Sequence, residues 1–114
     1  MYAPTHPNNA DDRVQIKICG ITAPEEALAC AALGADAIGL VFYPDSPRYV
    51  SVAMAARITS VLPPTMAAVG VFVNASEKTI LEAVKESRLT GVQLHGREDP
   101  ELVARLRKTG LCVI

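Results

Sequence analysis

Apolar and polar positions follow one another along this chain in a repeating order of short apolar runs and amphipathic stretches. Val14 to Cys19 is rich in β-branched residues, ends at Gly20 and reads as a strand. Thr22-Ala23-Pro24-Glu25 marks a helix start, with Thr22 as cap and Glu25 three residues on, as in a capping box. Leu28, Ala31, Ala32 and Ala35 follow at helical spacing, and Gly34 is the expected stop. Ala37 to Tyr43 forms a second apolar strand, and residues 44–50 (PDSPRYV) a proline-containing loop. Ser51 to Leu62 predicts a helix with Met54, Ile58, Val61 and Leu62 on one side, ended by Pro63-Pro64. Ala67 to Val73 is a third strand, and Ser76 caps a third helix carrying Ile80, Leu81 and Val84. Gly91 to Leu94 is a fourth strand, ending at His95-Gly96. Asp99 and Pro100 open a fourth helix with Leu102, Val103 and Leu106 as its apolar stripe and Gly110 as its stop. Leu111 to Ile114 begins a fifth strand.

Strands apolar on both faces, alternating with helices, suit a parallel sheet covered by helices. Two architectures fit that order: an open doubly wound sheet and a closed eight-fold barrel. A closed barrel takes about 200–250 residues. The chain has 114 residues, so on pattern and length alone an open five-stranded sheet fits better.

Composition narrows the function classes. Half of the residues are apolar and 20% are charged, which excludes wholesale disorder. Eleven basic and 12 acidic residues leave a net charge of -1, which argues against nucleic acid as a main partner. Residues 1–13 are polar, hold two prolines and read as a flexible leader rather than a signal peptide. Residues 27–44 are apolar but broken by Gly34, Asp36 and Gly39, as expected of a helix followed by a strand and not of a membrane span. The three cysteines, Cys19, Cys30 and Cys112, show no paired spacing. Reduced thiols and a cytoplasmic location follow as the expectation. With no tryptophan and 4% aromatics, small and branched aliphatics must build the core.

Both parallel architectures gather function at the C-terminal ends of the strands. Those ends carry Lys17-Ile18-Cys19-Gly20, then Tyr43 with Ser46-Pro47-Arg48, then Asn74, then Gln93-Leu94-His95-Gly96. Strand alternation puts Lys17 and Cys19 on one face and Gln93 and His95 on one face, with Ile16, Ile18, Val92 and Leu94 opposite. The polar set would point into a barrel interior near its mouth, where a neighbouring cation favours a thiolate able to act as base or nucleophile. Each residue also has a plain structural reading. Cys19 could be a small buried hydrophobe, Lys17 a snorkelling side chain, Arg48 a solvated charge and His95 a satisfied structural histidine. Asn74 reads as a turn former, and Cys30 and Cys112 as packing. Cys19 and His95 have no second ligand at a familiar spacing, so no metal is expected, and no phosphate loop of the usual kinds is present.

The motifs VQIKICGIT (residues 14–22), GADAIGLVFYPDSPRYV (34–50), VGVFVN (69–74) and VQLHG (92–96) stand in an order and spacing that closely resemble the phosphoribosylanthranilate isomerase family of tryptophan biosynthesis. The resemblance covers residues 14–114. It implies an α/β fold of the parallel (β/α)8 TIM-barrel family, of which this chain supplies about the first four and a half β/α units. It implies an Amadori rearrangement of N-(5-phosphoribosyl)anthranilate to the corresponding 1-deoxyribulose 5-phosphate, with no cofactor and no metal. Cys19 takes the position of the family's general base, removing the proton from C2 of the opened sugar. Arg48, of the SPR loop, would hold the anthranilate carboxylate, and His95 would lie in the same pocket. Lys17 and Gln93, on the inward face, join them as substrate-side residues. The family's general acid, an aspartate beyond strand five, and its phosphate-gripping loops after strands seven and eight fall outside this chain. Asp45 and Asp99, in loop and cap positions, do not replace them. Such a chain alone is expected to have little activity. It is also expected to expose two strand edges and to associate as a homodimer or with a complementing C-terminal half. Two alternatives stand beside this reading: another phosphosugar barrel enzyme, and a non-catalytic self-associating α/β module.

Overall fold

The computed structural model describes residues 15–114. The expected leader over 1–13, with His6, and Val14 lie outside the described residues. In chain order the elements are β1 (Lys17–Cys19), α1 (Pro24–Ala32), β2 (Ala37–Val41), α2 (Val52–Ser60), β3 (Ala67–Phe72), α3 (Glu77–Ser87), β4 (Gly91–Leu94), α4 (Pro100–Lys108) and β5 (Cys112–Val113). Among the described residues no helix is long and apolar enough to cross a membrane.

The strands form one parallel sheet in the order β1-β2-β3-β4-β5. Strand order decides between the two architectures. A doubly wound sheet reverses direction at a switch point and so places helices on both faces. Right-handed crossovers that always step the same way place every helix on the same face. The fold is therefore of the TIM-barrel type: the sheet has the five open strands that length favours, and the doubly wound alternative is excluded.

The core lies between that face and the helices. Ile38, Leu40, Ala68, Phe72 and Val92 project from the strands, and Ala27, Cys30, Ala55, Ile58, Ile80, Ala83, Leu102 and Leu106 from all four helices. Phe72 is the largest fully buried side chain and stacks on Phe42, with ring centroids 5.2 Å apart and planes 9° apart.

Local chemistry explains the helix starts. Ser51 caps α2 through Met54 N–H, Ser76 caps α3 through Thr79 N–H, and Asp99 caps α4 through Glu101 N–H with Pro100 at the first helical position. Two expectations for α1 are corrected. Its N-cap is Ala23, and Pro24 shifts the start so that Glu26, not Glu25, reaches back to the backbone N–H and hydroxyl of Thr22. Its buried face is Ala27 and Cys30, whereas Leu28 is 52% exposed. Ala27 and Cys30, three residues apart, share the covered face of α1, and Leu28 is rotated one residue off that line.

Replacing Phe72 by Ala is expected to lower the unfolding free energy by about 3–5 kcal/mol. Urea unfolding followed by circular dichroism measures it. A loss below about 1 kcal/mol would mean that the ring leaves no cavity behind.

Candidate active site

The face of the sheet away from the helices is built from alternate residues of the same strands. Lys17 pairs with Ala37 and Ala37 with Ala67. One rung up, Cys19, Gly39, Val69, Gly91 and Cys112 stand in register across all five strands. Above them Val41, Val71 and Gln93 follow. Ala37, Ala67, Val69 and Val71 are buried, yet none belongs to the helix-side core. This second surface is concave: Lys17 of β1 donates from its ammonium to the amide oxygen of Gln93 on β4, across two intervening strands. The expected inward set of Lys17, Cys19 and Gln93 is thus a single surface, with Lys17 and Gln93 bonded to each other.

Cys19 ends β1 and is exposed. Its sulfur lies over Gly39. A Cβ built on Gly39 would stand 2.7 Å from Cys19 Sγ, 3.1 Å from its Cα and 3.2 Å from its Cβ. A glycine inside a strand marks a close approach, and here the approaching group is the thiol. Cys112, read as core from the sequence, is corrected: it is half-buried on this inner surface beside Gly91. Burial pushes its thiol up from the ordinary value, with Arg107 opposing. That keeps the Cys112 thiol in its neutral form, unsuited to act as a base. Cys30, expected as packing, is buried in the core.

Arg48 reaches the end of β1 from the β2–α2 loop. Turn bonds from Ser46 N–H to Tyr43 O, Tyr49 N–H to Ser46 O and Arg48 N–H to Ser46 Oγ shape this loop. Val50 N–H returns it to Val41 O. Arg48 Nη1 donates to Gly20 O at 3.1 Å, next to Cys19 in the chain. Its other guanidinium donors face solvent with the exposed side chain. On the other side of that turn the Glu26 carboxyl is held below its ordinary value by hydrogen bonds from Thr22, with a smaller effect of the Arg48 charge. Asp45 accepts from the Tyr43 hydroxyl at 3.1 Å, which raises the phenol from its ordinary value.

His95 is exposed at the end of β4, where its N–H continues the ladder to Phe72 O at 2.9 Å. The turn after it is locked by contacts the sequence does not announce. Glu98 accepts from Asn74 N–H at 2.6 Å and from Gly96 N–H at 2.8 Å, and Asn74 Oδ1 accepts from Arg97 N–H at 2.7 Å. Asn74 takes a left-handed turn with φ of 52°, as expected of a turn former. Gly96 fits because a Cβ there would lie 2.6 Å from Asn74 Oδ1. The structure thus joins Arg48 with Gly20 beside Cys19, Lys17 with Gln93, and the His95 turn with the Asn74 turn. Among the described residues no group of three or more His, Cys, Asp or Glu side chains could hold a metal ion.

Comparison with known proteins follows from this geometry. The family model described as N-(5'phosphoribosyl)anthranilate (PRA) isomerase matches residues 16–114. An N-(5'-phosphoribosyl)anthranilate isomerase of Desulfatibacillum aliphaticivorans is 50% identical over 101 residues, covering 89% of this chain and 46% of the relative. The chain spans about half the length of the curated relatives it matches. A solved phosphoribosyl anthranilate isomerase in complex with reduced 1-(o-carboxyphenylamino)-1-deoxyribulose 5-phosphate superimposes with a TM-score of 0.85 at 46% identity, covering 89% of this chain and 52% of that one. The phosphoribosyl anthranilate isomerase of Thermotoga maritima gives 0.83 at 48% identity, over 89% and 49% of the two chains.

Gly39→Ala places a methyl group against backbone as well as sulfur, so rotation of the thiol alone cannot relieve it. The variant is expected to lose about 1–3 kcal/mol of stability by urea unfolding and to alter the alkylation rate of Cys19. Unchanged stability and alkylation would show that the sulfur does not rest on this glycine.

Proposed function

The chain belongs to the N-(5'-phosphoribosyl)anthranilate isomerase family, and from that premise we propose that it carries the base-bearing part of an isomerase of tryptophan biosynthesis. Residues 14–114 would be the N-terminal portion of the barrel domain. The reaction is an Amadori rearrangement of a phosphosugar–anthranilate conjugate. Cys19 is its general base, taking the proton from C2 of the opened sugar. Arg48 binds the anthranilate carboxylate through the donors that Gly20 leaves free, a charge-assisted contact. His95 lines the same pocket, and Lys17 and Gln93 form its floor on the substrate side. The observation that carries this reading is the bond from the Arg48 guanidinium to the carbonyl of Gly20, the residue that follows the exposed Cys19. The related complex with a reduced product analogue supports the ligand class. Three free thiols support a reducing compartment, the cytoplasm.

The test is a chimera in which this chain replaces the matching part of a curated relative. The chimera is expected to turn over substrate. Cys19→Ala should cut kcat by about 10²–10⁴-fold with KM little changed, and Arg48→Met should act mainly on KM. Turnover unaffected by Cys19→Ala would remove the thiol from the base role.

Among the described residues β1 and β5 each have one sheet neighbour, which leaves an edge of each strand open to a further strand. Ile16, beside β1, and Ile114, beside β5, are 52% and 45% exposed. These edges support a second copy of the chain or a C-terminal half of such a barrel as partner. Light scattering on the isolated chain separates the two. A mass above the monomer indicates the second copy, and a stable monomer at high concentration excludes it.

A further inference from the structure

Lys17 and Cys19 stand two residues apart on one face of β1, close enough for an unrestrained lysine to bring its cation to the thiol. The structure gives the two groups different partners. The sulfur leans over Gly39 of β2, while the ammonium is bonded to Gln93 of β4. The reach runs over small side chains on β2, Ala37 and Gly39, and over Ala67, Val69 and Val71 of β3. We propose that Gln93 is a positioning residue that tethers the Lys17 ammonium away from Cys19, so that one hydrogen bond sets how much positive charge the thiol receives. A group that competes for the Gln93 amide oxygen releases the cation toward β1.

Arg48 enters from the β2–α2 loop onto Gly20, Glu26 of α1 lies near enough to sense Arg48, and His95 stands at the end of β4. β2 contributes Gly39 and no titratable side chain at this rung. The tether rests on the inner-surface geometry, while its bearing on catalysis rests on the reading of Cys19 as the base.

The experiment follows alkylation of Cys19 by iodoacetamide against pH in the full chain, with Cys30→Ser and Cys112→Ser leaving one thiol. Gln93→Leu is expected to move the profile to lower pH and raise the rate near neutrality about three- to tenfold. In a Lys17→Met background the same substitution is expected to change nothing. A profile unmoved by Gln93→Leu, or a shift that persists without Lys17, overturns the proposal. Gln93→Glu covers a folding defect in the leucine variant. It keeps an acceptor for the ammonium and adds negative charge, so alkylation near neutrality no faster than the parent supports the tether and faster alkylation overturns it. No substrate is involved, so the result is independent of whether the isomerase reading holds.

Discussion

All four helices lie on one side of the sheet, and this asymmetry organises the molecule. Each crossover steps to the next neighbour, and among the described residues no helix covers the second face. That face must be filled by the strands' own side chains, leaning toward one another as the sheet curls. Large aliphatics suit the helix side, where Ile38, Leu40 and Phe72 are fully buried. The concave side has less room and takes alanine, glycine and valine, with longer polar chains laid across the small ones. Fold and candidate site are therefore two faces of the same alternation.

The candidate site also shows how short connections aim side chains. Cys19 needs only its strand and the gap over Gly39. Arg48 needs a loop folded on itself by consecutive turns before it can reach back to Gly20. His95 needs a neighbouring loop to immobilise the turn that follows it. Local sequence has progressively less influence along that series, and distant partners have more.

That gradient matches what could be read before the structure. Helices three and four start on the capping residues expected of them, because a cap acts within three residues. The strands were found to within a few residues from apolar runs alone. Alternation placed Lys17, Cys19 and Gln93 on one surface, since its period of two is a backbone property. The misreadings have physical causes. Pro24 displaced the start of α1 by one position, which exchanged Glu25 for Glu26. Leu28 looked like core by size, yet the covered face of α1 falls on Ala27 and Cys30 instead. Cys112 was apolar in type but fell on the concave rung. The bond from Glu98 to Asn74 spans 24 residues, and no local pattern announces a partner that far away. Gly39 was legible in principle, as a glycine within a strand.

The Asn74–Glu98 lock divides the rim of the sheet into two kinds of wall. Three backbone donors, those of Asn74, Gly96 and Arg97, are already satisfied by side chains of the chain itself. That wall has no amide hydrogen among these three left to offer an incoming anion, and its shape is set before anything arrives. The opposite wall carries an exposed guanidinium with one bond, to Gly20 O, on a loop shaped by its own turns. The first wall is fixed in shape by the chain's own side chains, and the second presents a positive charge at its surface.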